Sequence, residues 1–448
     1  MKPKMLNPMK NTSQTHSITQ SPHHPITKSP HHLRQISSIL FSLVVLICTS
    51  AQTIAQTNPT DQAIAKHRKG KLIVKAKPGT KVSIEQLSHE FWFGAAIANG
   101  LGSGNMNPDD LRQYKNYFLK NFNSAVTENA LKWANMEREK GQVNHLTVEG
   151  ILNWTEENDI PLRGHNLFWG IEKFVQPWIM ELSDAELEAT IKDRAISIAR
   201  KYKGRFLEYD LNNEMIHGNY YEDRLGPDIT AKMAKWVLEG DPDAQLYLND
   251  YDILTGNRLA DYLAQIRDLM AHNVPIAGIG VQGHLHGSTF TRKELKRSLD
   301  SLAQFGLPIR ITEFNMPGQR SKFHKDTQLV MSPEEEKQNA IELVDYYSIC
   351  FAHPAVEGIL MWGFWEGANW IPASSLYTRD WQPKPTAKAY QKLIFDTWWT
   401  ERTGTADAEG QFSADAFYGE YQLTIDGQTR IISHKKKNRA TTIDCSTP

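Results

Sequence analysis

From residue 91 onward, short apolar runs ending in polar or aromatic residues alternate with longer stretches whose apolar positions recur at helical spacing. Eight such runs can be read: "FWFGAAI" (91–97), "FNSAVTENA" (122–130), "PLRGHNLFW" (161–169), "FLEYDLNNE" (206–214), "AQLYLNDY" (244–251), "IAGIGVQGHLH" (276–286), "PIRITEFN" (308–315) and "VEGILMWGFW" (356–365). Helix starts stand between them. Ser183 with Glu186, Thr291 with Glu294, and Ser332 followed by Pro333 and Glu335 all read as capping boxes. Parallel strands need helical crossovers and eight can close on themselves, so the pattern predicts an α/β fold, a (β/α)8 TIM barrel. The rival, an open doubly wound sheet, would carry a phosphate-binding glycine loop after its first strand. "FGAAIANGLGSGN" has neither the spacing nor the helix start for one, and its glycines read as loop residues.

Both flanks change period. "KGKLIVKAKPGTKVSIEQLSHEF" (69–91) alternates as strands do around a Pro78-Gly79 turn, and "GQFSADAFYGEYQLTIDGQTRIISH" (410–434) reads as a hairpin turning at Asp426-Gly427. The expected organisation is a leader and signal peptide over 1–55, a linker and N-terminal β segment over 56–90, the barrel over 91–398, and a C-terminal β hairpin and tail over 399–448. Small β appendages at the N- and C-terminal ends complete the picture.

The N-terminal leader bears on localisation. "RQISSILFSLVVLICTSA" (34–51) sets a basic residue before a short apolar run and then small residues suited to cleavage, which predicts a secreted or periplasmic protein with no membrane attachment after signal cleavage. Residues 1–33, with "SPHHPITKSPHH", are Pro- and His-rich and read as a disordered leader. Of three cysteines, Cys48 lies in the apolar run, Cys350 in a predicted helix and Cys445 in the tail, so no disulfide framework is implied. A net charge of -1 gives no electrostatic reason to expect nucleic acid or an anionic membrane as partner. The 12 Trp, 15 Tyr and 17 Phe suit the apolar faces of a neutral sugar, although most aromatics build cores.

In a barrel of this kind the site forms at the C-terminal ends of the strands. There the sequence sets Glu128, Asn129 and Lys132, then His165 and Trp169, Asn213 and Glu214, Asn249 and Tyr251, Gln282, His284 and His286, Glu313, and lastly Trp362, Trp365 and Trp370. Hydrolysis of a glycosidic bond needs two carboxyls whose surroundings drive their pKa values apart, and Glu214 with Glu313 supply such a pair. Glu128 reads equally as a sugar contact or as a helix cap or ion partner of Lys132. His284 and His286, as H-x-H, could ligate a metal, but a hydrogen bond from His284 to a carboxylate is the better reading because no further ligand set accompanies them.

"TENALKW", "RGHNLFWG", "DLNNEM", "LYLNDY", "GVQGHLH", "ITEFN" and "MWGFWEGANW" together resemble, in order and spacing, the signatures of glycoside hydrolase family 10, the retaining endo-1,4-β-xylanases. The resemblance runs from about 91 to 398, and the "FGAAI" strand with its preceding β stretch resembles the plant-type branch. It implies an enzyme that cleaves internal β-1,4-xylosidic bonds of xylan or xylo-oligosaccharides with no cofactor and no metal. By motif, Glu214 corresponds to the acid/base and Glu313 to the nucleophile. Asn213 matches the contact to the sugar 2-hydroxyl, His284 the residue beside the nucleophile, and Gln282 a nearby polar contact. Glu128, Asn129, Lys132, His165 and Trp169 match the glycone side, Trp362 and Trp370 the indoles walling the central subsites, and Tyr251 joins them as a substrate contact. Gly170, Asn212, Met215 and Asn315 depart from the commoner residues at their positions. Hydrolysis of another β-glycan and a non-catalytic carbohydrate-binding barrel are the alternative readings.

Overall fold

In a computed structural model the described residues are 58–446 except His286 and Ser288, and all of them fall in one compact unit. The expected leader and signal segment lies outside them. Strand β1 (Lys69–Lys75) and β2 (Lys81–His89) precede the barrel. The barrel strands follow as β3 (Trp92–Ile97), β4 (Ser124–Thr127), β5 (Leu162–Gly164) with its continuation β6 (Phe168–Trp169), β7 (Glu208–Asn213), β8 (Leu246–Asp250), β9 (Gly278–Val281), β10 (Ile309–Phe314) and β11 (Val356–Met361). After them come β12 (Glu401–Thr405), β13 (Gln411–Phe417), β14 (Gly419–Ile425), β15 (Gln428–His434) and β16 (Ala440–Asp444).

All eight apolar runs form parallel strands, and β11 pairs back onto β3 through Gly358↔Trp92 to Met361↔Ala95, closing the (β/α)8 barrel. The third run is interrupted: β5 pairs with both β4 and β7, and β6 rejoins β7. Such strands read as continuous apolar runs because both faces are covered. β7 departs from that rule with Glu208 and Asp210, which meet Arg163 and Arg310 in the interior. Arg310 donates to both oxygens of Glu208 at 3.0 and 2.8 Å, Arg163 bridges Glu208 and Asp210, and each of the four side chains is buried. Buried charges persist where every member is partnered, as these are.

Two of the three expected capping boxes form, at Ser183/Glu186 and Ser332/Glu335. Thr291 does precede its helix, Arg292–Leu302, but makes no side-chain cap bond, and the Glu294 side chain is turned toward Arg297 one turn along rather than back to the cap. Two of the glycines after β3 are not loop residues: Gly100 and Gly102 lie in a short helix, Asn99–Ser103, while Gly104 stands past its end at φ 70°. Gly102 and Gly150 let this helix cross Leu146–Glu157 at backbone contact, where a Cβ on either would strike a carbonyl. A further helix, Pro59–Arg68, occupies part of the stretch read as linker; its Arg68 donates to the carbonyls of Phe351, His353 and Val356, each at 2.6 Å.

The two β appendages are one structure. β1 lies between β13 and β16, while β2 lies between β12 and β14, with β15 at the edge. The two sheets share a core of Leu72, Val74, Val82, Ile84, Ala414, Ala416, Tyr421, Leu423 and Ile432. The Pro78-Gly79 turn is therefore a corner between sheets rather than a hairpin, whereas Asp426-Gly427, both at positive φ, turns a true hairpin from β14 into β15. No helix of the described residues is long and apolar enough to cross a membrane.

Candidate active site

The C-terminal ends of the barrel strands bring Glu214 and Glu313 onto one scaffold. β7 ends at Asn213, and Glu214 takes φ 62°, so the chain turns sharply at the carboxylate. A non-glycine residue held in that left-handed region is uncommon and concentrates at functional sites. Two neighbours, Asn249 and Gln282, hold it there together with Trp169. Its amide donates to the carbonyl of Asn249 at 2.9 Å, and its carboxylate accepts from Gln282 Nε2 at 2.6 Å and Trp169 Nε1 at 2.9 Å.

Glu313 is braced by the same two residues in exchanged roles. Its amide donates to the carbonyl of Gln282 at 2.7 Å, and its Oε1 accepts from Asn249 Nδ2 at 2.9 Å. His284 Nε2 lies 3.1 Å from its Oε2, and His165 Nδ1 lies 3.8 Å from its Oε1 and 2.8 Å from Asp210 Oδ2.

These surroundings divide the pair. Burial raises the Glu214 carboxyl above its ordinary value and the nearby negative charge of Glu313 adds to it, only partly opposed by the bonds from Gln282 and Trp169. Burial presses on Glu313 too, but His165, His284 and Lys132 together overcome it and hold that carboxyl down at about 2. Between these limits one carboxyl carries a proton and the other a charge.

The other sequence-predicted residues surround the pair. Asn213 is buried, accepts from Asn249 Nδ2 at 3.0 Å, and keeps its own Nδ2 free of any partner among the described residues. Of the alternatives for Glu128, an ion pair with Lys132 is not formed. The Lys132 Nζ donates to Asn129 Oδ1 at 2.9 Å and sits over Trp169 and Trp362, 4.6 and 5.8 Å from their ring centres. Glu128, half-buried, is pushed up to about 7 by its burial, against the pull of Lys132. Trp362 packs edge-on against His165, with 5.1 Å between ring centroids. Trp370 is 37% exposed, so its indole is open to solvent, and Tyr251 stacks on His217 with 3.6 Å between centroids. Trp365 goes elsewhere: it stacks on Trp381 and is part of the core. His286, the other half of the H-x-H pair, lies outside the described residues.

Three contributors carry no role in the sequence reading. Asn249, noted only as a strand-end residue, links the main-chain amide of Glu214 to the carboxylate of Glu313, and Thr312 donates to its Oδ1 at 2.7 Å. Asp210 stands behind His165; a carboxylate inside an apolar strand is the signal that could have found it. Asn315 accepts from Trp370 Nε1 at 2.9 Å and donates to the carbonyl of Trp362 at 3.2 Å and to Ser374 at 2.9 Å, a pair of functions an aspartate could not combine.

Known proteins are similar to this chain. The model of "Glycosyl hydrolase family 10" matches residues 83–393. Endo-1,4-beta-xylanase 1 of Arabidopsis thaliana is 33% identical over 351 residues, 78% of this chain and 34% of its own length. Anti-sigma-I factor RsgI6 of Acetivibrio thermocellus is 32% identical over 85% of this chain and 48% of its own. The chain thus spans about a third to a half of the length of these curated relatives. The crystal structure of xylanase 10B from Thermotoga petrophila in complex with xylobiose superposes with a TM-score of 0.61 at 26% identity, covering 69% of this chain and 95% of that one. With its barrel closed as the motifs predict and its core matched from end to end, the chain belongs to glycosyl hydrolase family 10.

Proposed function

We propose that this protein is a retaining endo-1,4-β-xylanase whose acid/base is Glu214 and whose nucleophile is Glu313. The observation that carries the proposal is the division of the two carboxyls, one raised by burial and the other held down at about 2, at the ends of β7 and β10, which are braced together through Asn249 and Gln282. In the first step a Glu313 oxygen bonds to the anomeric carbon while the glycosidic C–O bond breaks and the Glu214 proton passes to the leaving oxygen. In the second, Glu214 takes a proton from water, whose oxygen displaces Glu313 and releases the sugar with its configuration retained. Asn213 Nδ2 is placed to donate to a sugar hydroxyl, and Trp362 and Trp370 supply indole walls. A xylan-type substrate is supported by the curated and structural relatives named as xylanases.

Replacing Glu214 by Ala separates the roles. It should cripple xylan cleavage yet leave a burst of phenolate from an aryl xyloside, whose leaving group needs no proton, and azide should then accelerate turnover. Glu313→Ala should give neither burst nor retained product. The reverse pattern would exchange the assignments, and full activity of both variants on xylan would leave a non-catalytic sugar-binding barrel as the reading. Equal or faster turnover of a β-1,4-glucan would keep the glycosidase and discard xylan, since only a steric wall against the extra CH₂OH gives strong discrimination. We further propose export, motivated by the leader over 34–51. A mature N-terminus near residues 52–57, in protein found outside the cytoplasm, supports it; the full leader on detergent-extracted protein opposes it.

A further inference from the structure

Beside Trp169 the cleft widens into a recess of about 510 Å³, within the ~300–1,000 Å³ typical of small-ligand sites. Asn129, Lys132 and Trp169 form its inner edge, so it is continuous with the residues around Glu214. Its outer wall is Phe174, stacked on Trp169 with 3.9 Å between ring centroids. Two cations stand at the mouth, Arg138 and Lys173, both exposed. Lys173 lies over the Phe174 ring at 4.6 Å, and neither residue forms an ion pair with a described carboxylate.

The charge of this recess has one sign. Its described lining holds Lys132, Arg138 and Lys173 and no carboxylate. The acidic residues beside Arg138 are engaged in other bonds: Glu137 accepts from Trp133 Nε1 at 2.8 Å and from the amide of Gly141 at 2.7 Å, and Glu139 accepts from Gln142 at 2.7 Å. A neutral xylose chain gives two exposed cations nothing to neutralise. A carboxylate does, and Arg presents a planar fork suited to one.

We propose that this recess is a subsite for an acidic branch, a uronic acid carried on the main chain, with Arg138 and Lys173 holding its carboxylate and Phe174 packing against its ring. The proposal rests on the xylanase reading above and names the decoration that site prefers. Exposed ion pairs are individually weak and screened by salt, so the preference should be modest and should fade as ionic strength rises.

The test uses three xylo-oligosaccharides: unbranched, carrying one uronosyl branch, and carrying the same branch with its carboxyl reduced to the alcohol. In each protein the quantity read is the ratio of kcat/KM for the acidic over the reduced branch, which isolates charge from bulk. The intact chain should favour the acidic branch about three- to tenfold at low salt, and Arg138→Gln combined with Lys173→Gln should bring the ratio near one. A ratio near one in the unsubstituted protein, or one unchanged by the double substitution or by salt, overturns the proposal. Failure to cleave any of the three, unbranched included, instead overturns the xylanase reading. Calorimetric binding of the two branched oligosaccharides then supplies the same ratio and decides the subsite.

Discussion

Asn249 and Gln282 each give one main-chain carbonyl and one side-chain amide to the carboxylate pair, so neither Glu214 nor Glu313 can shift without straining a bond to the other's support. The sequence displayed both residues at strand ends, but which side chain reaches which carboxylate depends on how the strands are staggered in the barrel, and no local pattern records that. His284 shows what this neighbourhood does to titration. In the proposed mechanism Glu313 must be ionised to attack, so activity should appear as pH rises through its value of about 2; Glu214 must be protonated, so activity should be lost as pH rises through its raised value. Removing His284 takes away one group that lowers Glu313. In His284→Ala the acidic limb of kcat/KM should therefore move upward by about 1–2 pH units, the equivalent of a lost hydrogen bond to a charged group. The alkaline limb should stay with Glu214. A pH–rate profile in which the acidic limb does not move would show that His284 is not what holds the nucleophile ionised.

Helix starts show how far an element can be read without its surroundings. The boxes at Ser183 and Ser332 form, the second although Glu335 also pairs with Lys322 at 2.6 Å; at Thr291 the same spelling gives no box, and Glu294 there pairs with Arg297. A helical neighbour three or four residues away can draw the Glu of such a box away from the cap. Ser332→Ala should thus destabilise the protein by about 1 kcal/mol, and Thr291→Ala should stay within about 0.5 kcal/mol of the parent. Paired urea melts measure both. Similar losses at the two positions would mean that Thr291 caps its helix in solution. The strand runs were legible for the opposite reason: burial on both faces leaves them apolar whatever their partners, and only β7, with Glu208 and Asp210, needed distant arginines to make sense.

At the scale of the molecule, the sequence reading separated two ends that the fold joins. Nothing within 69–91 indicates that β1 will lie between β13 and β16, because strand alternation specifies a face and not a partner. Deleting the chain from residue 400 onward would strip β2 of both its neighbours and expose Leu72, Val74, Val82 and Ile84. The truncated protein should be insoluble or should melt at least about 10 °C lower, as the loss of several kcal/mol from a protein of this size implies. Thermal melts of the soluble fraction check this, and an unchanged melting temperature would show the barrel to be indifferent to its β partner.

The pairing of Lys71 with Ala440 also orders events in time. A chain emerges from the ribosome N-terminus first, and β1 and β2 are made before the barrel while every strand they pair with is made after it. Throughout synthesis these two segments present unpaired edges and an uncovered apolar face, the features that draw nascent chains into aggregates. Residues 401–444 are thus the ones that end the exposure of β1 and β2, and a ribosome that stops short of them releases a barrel with its earliest strands still unmatched.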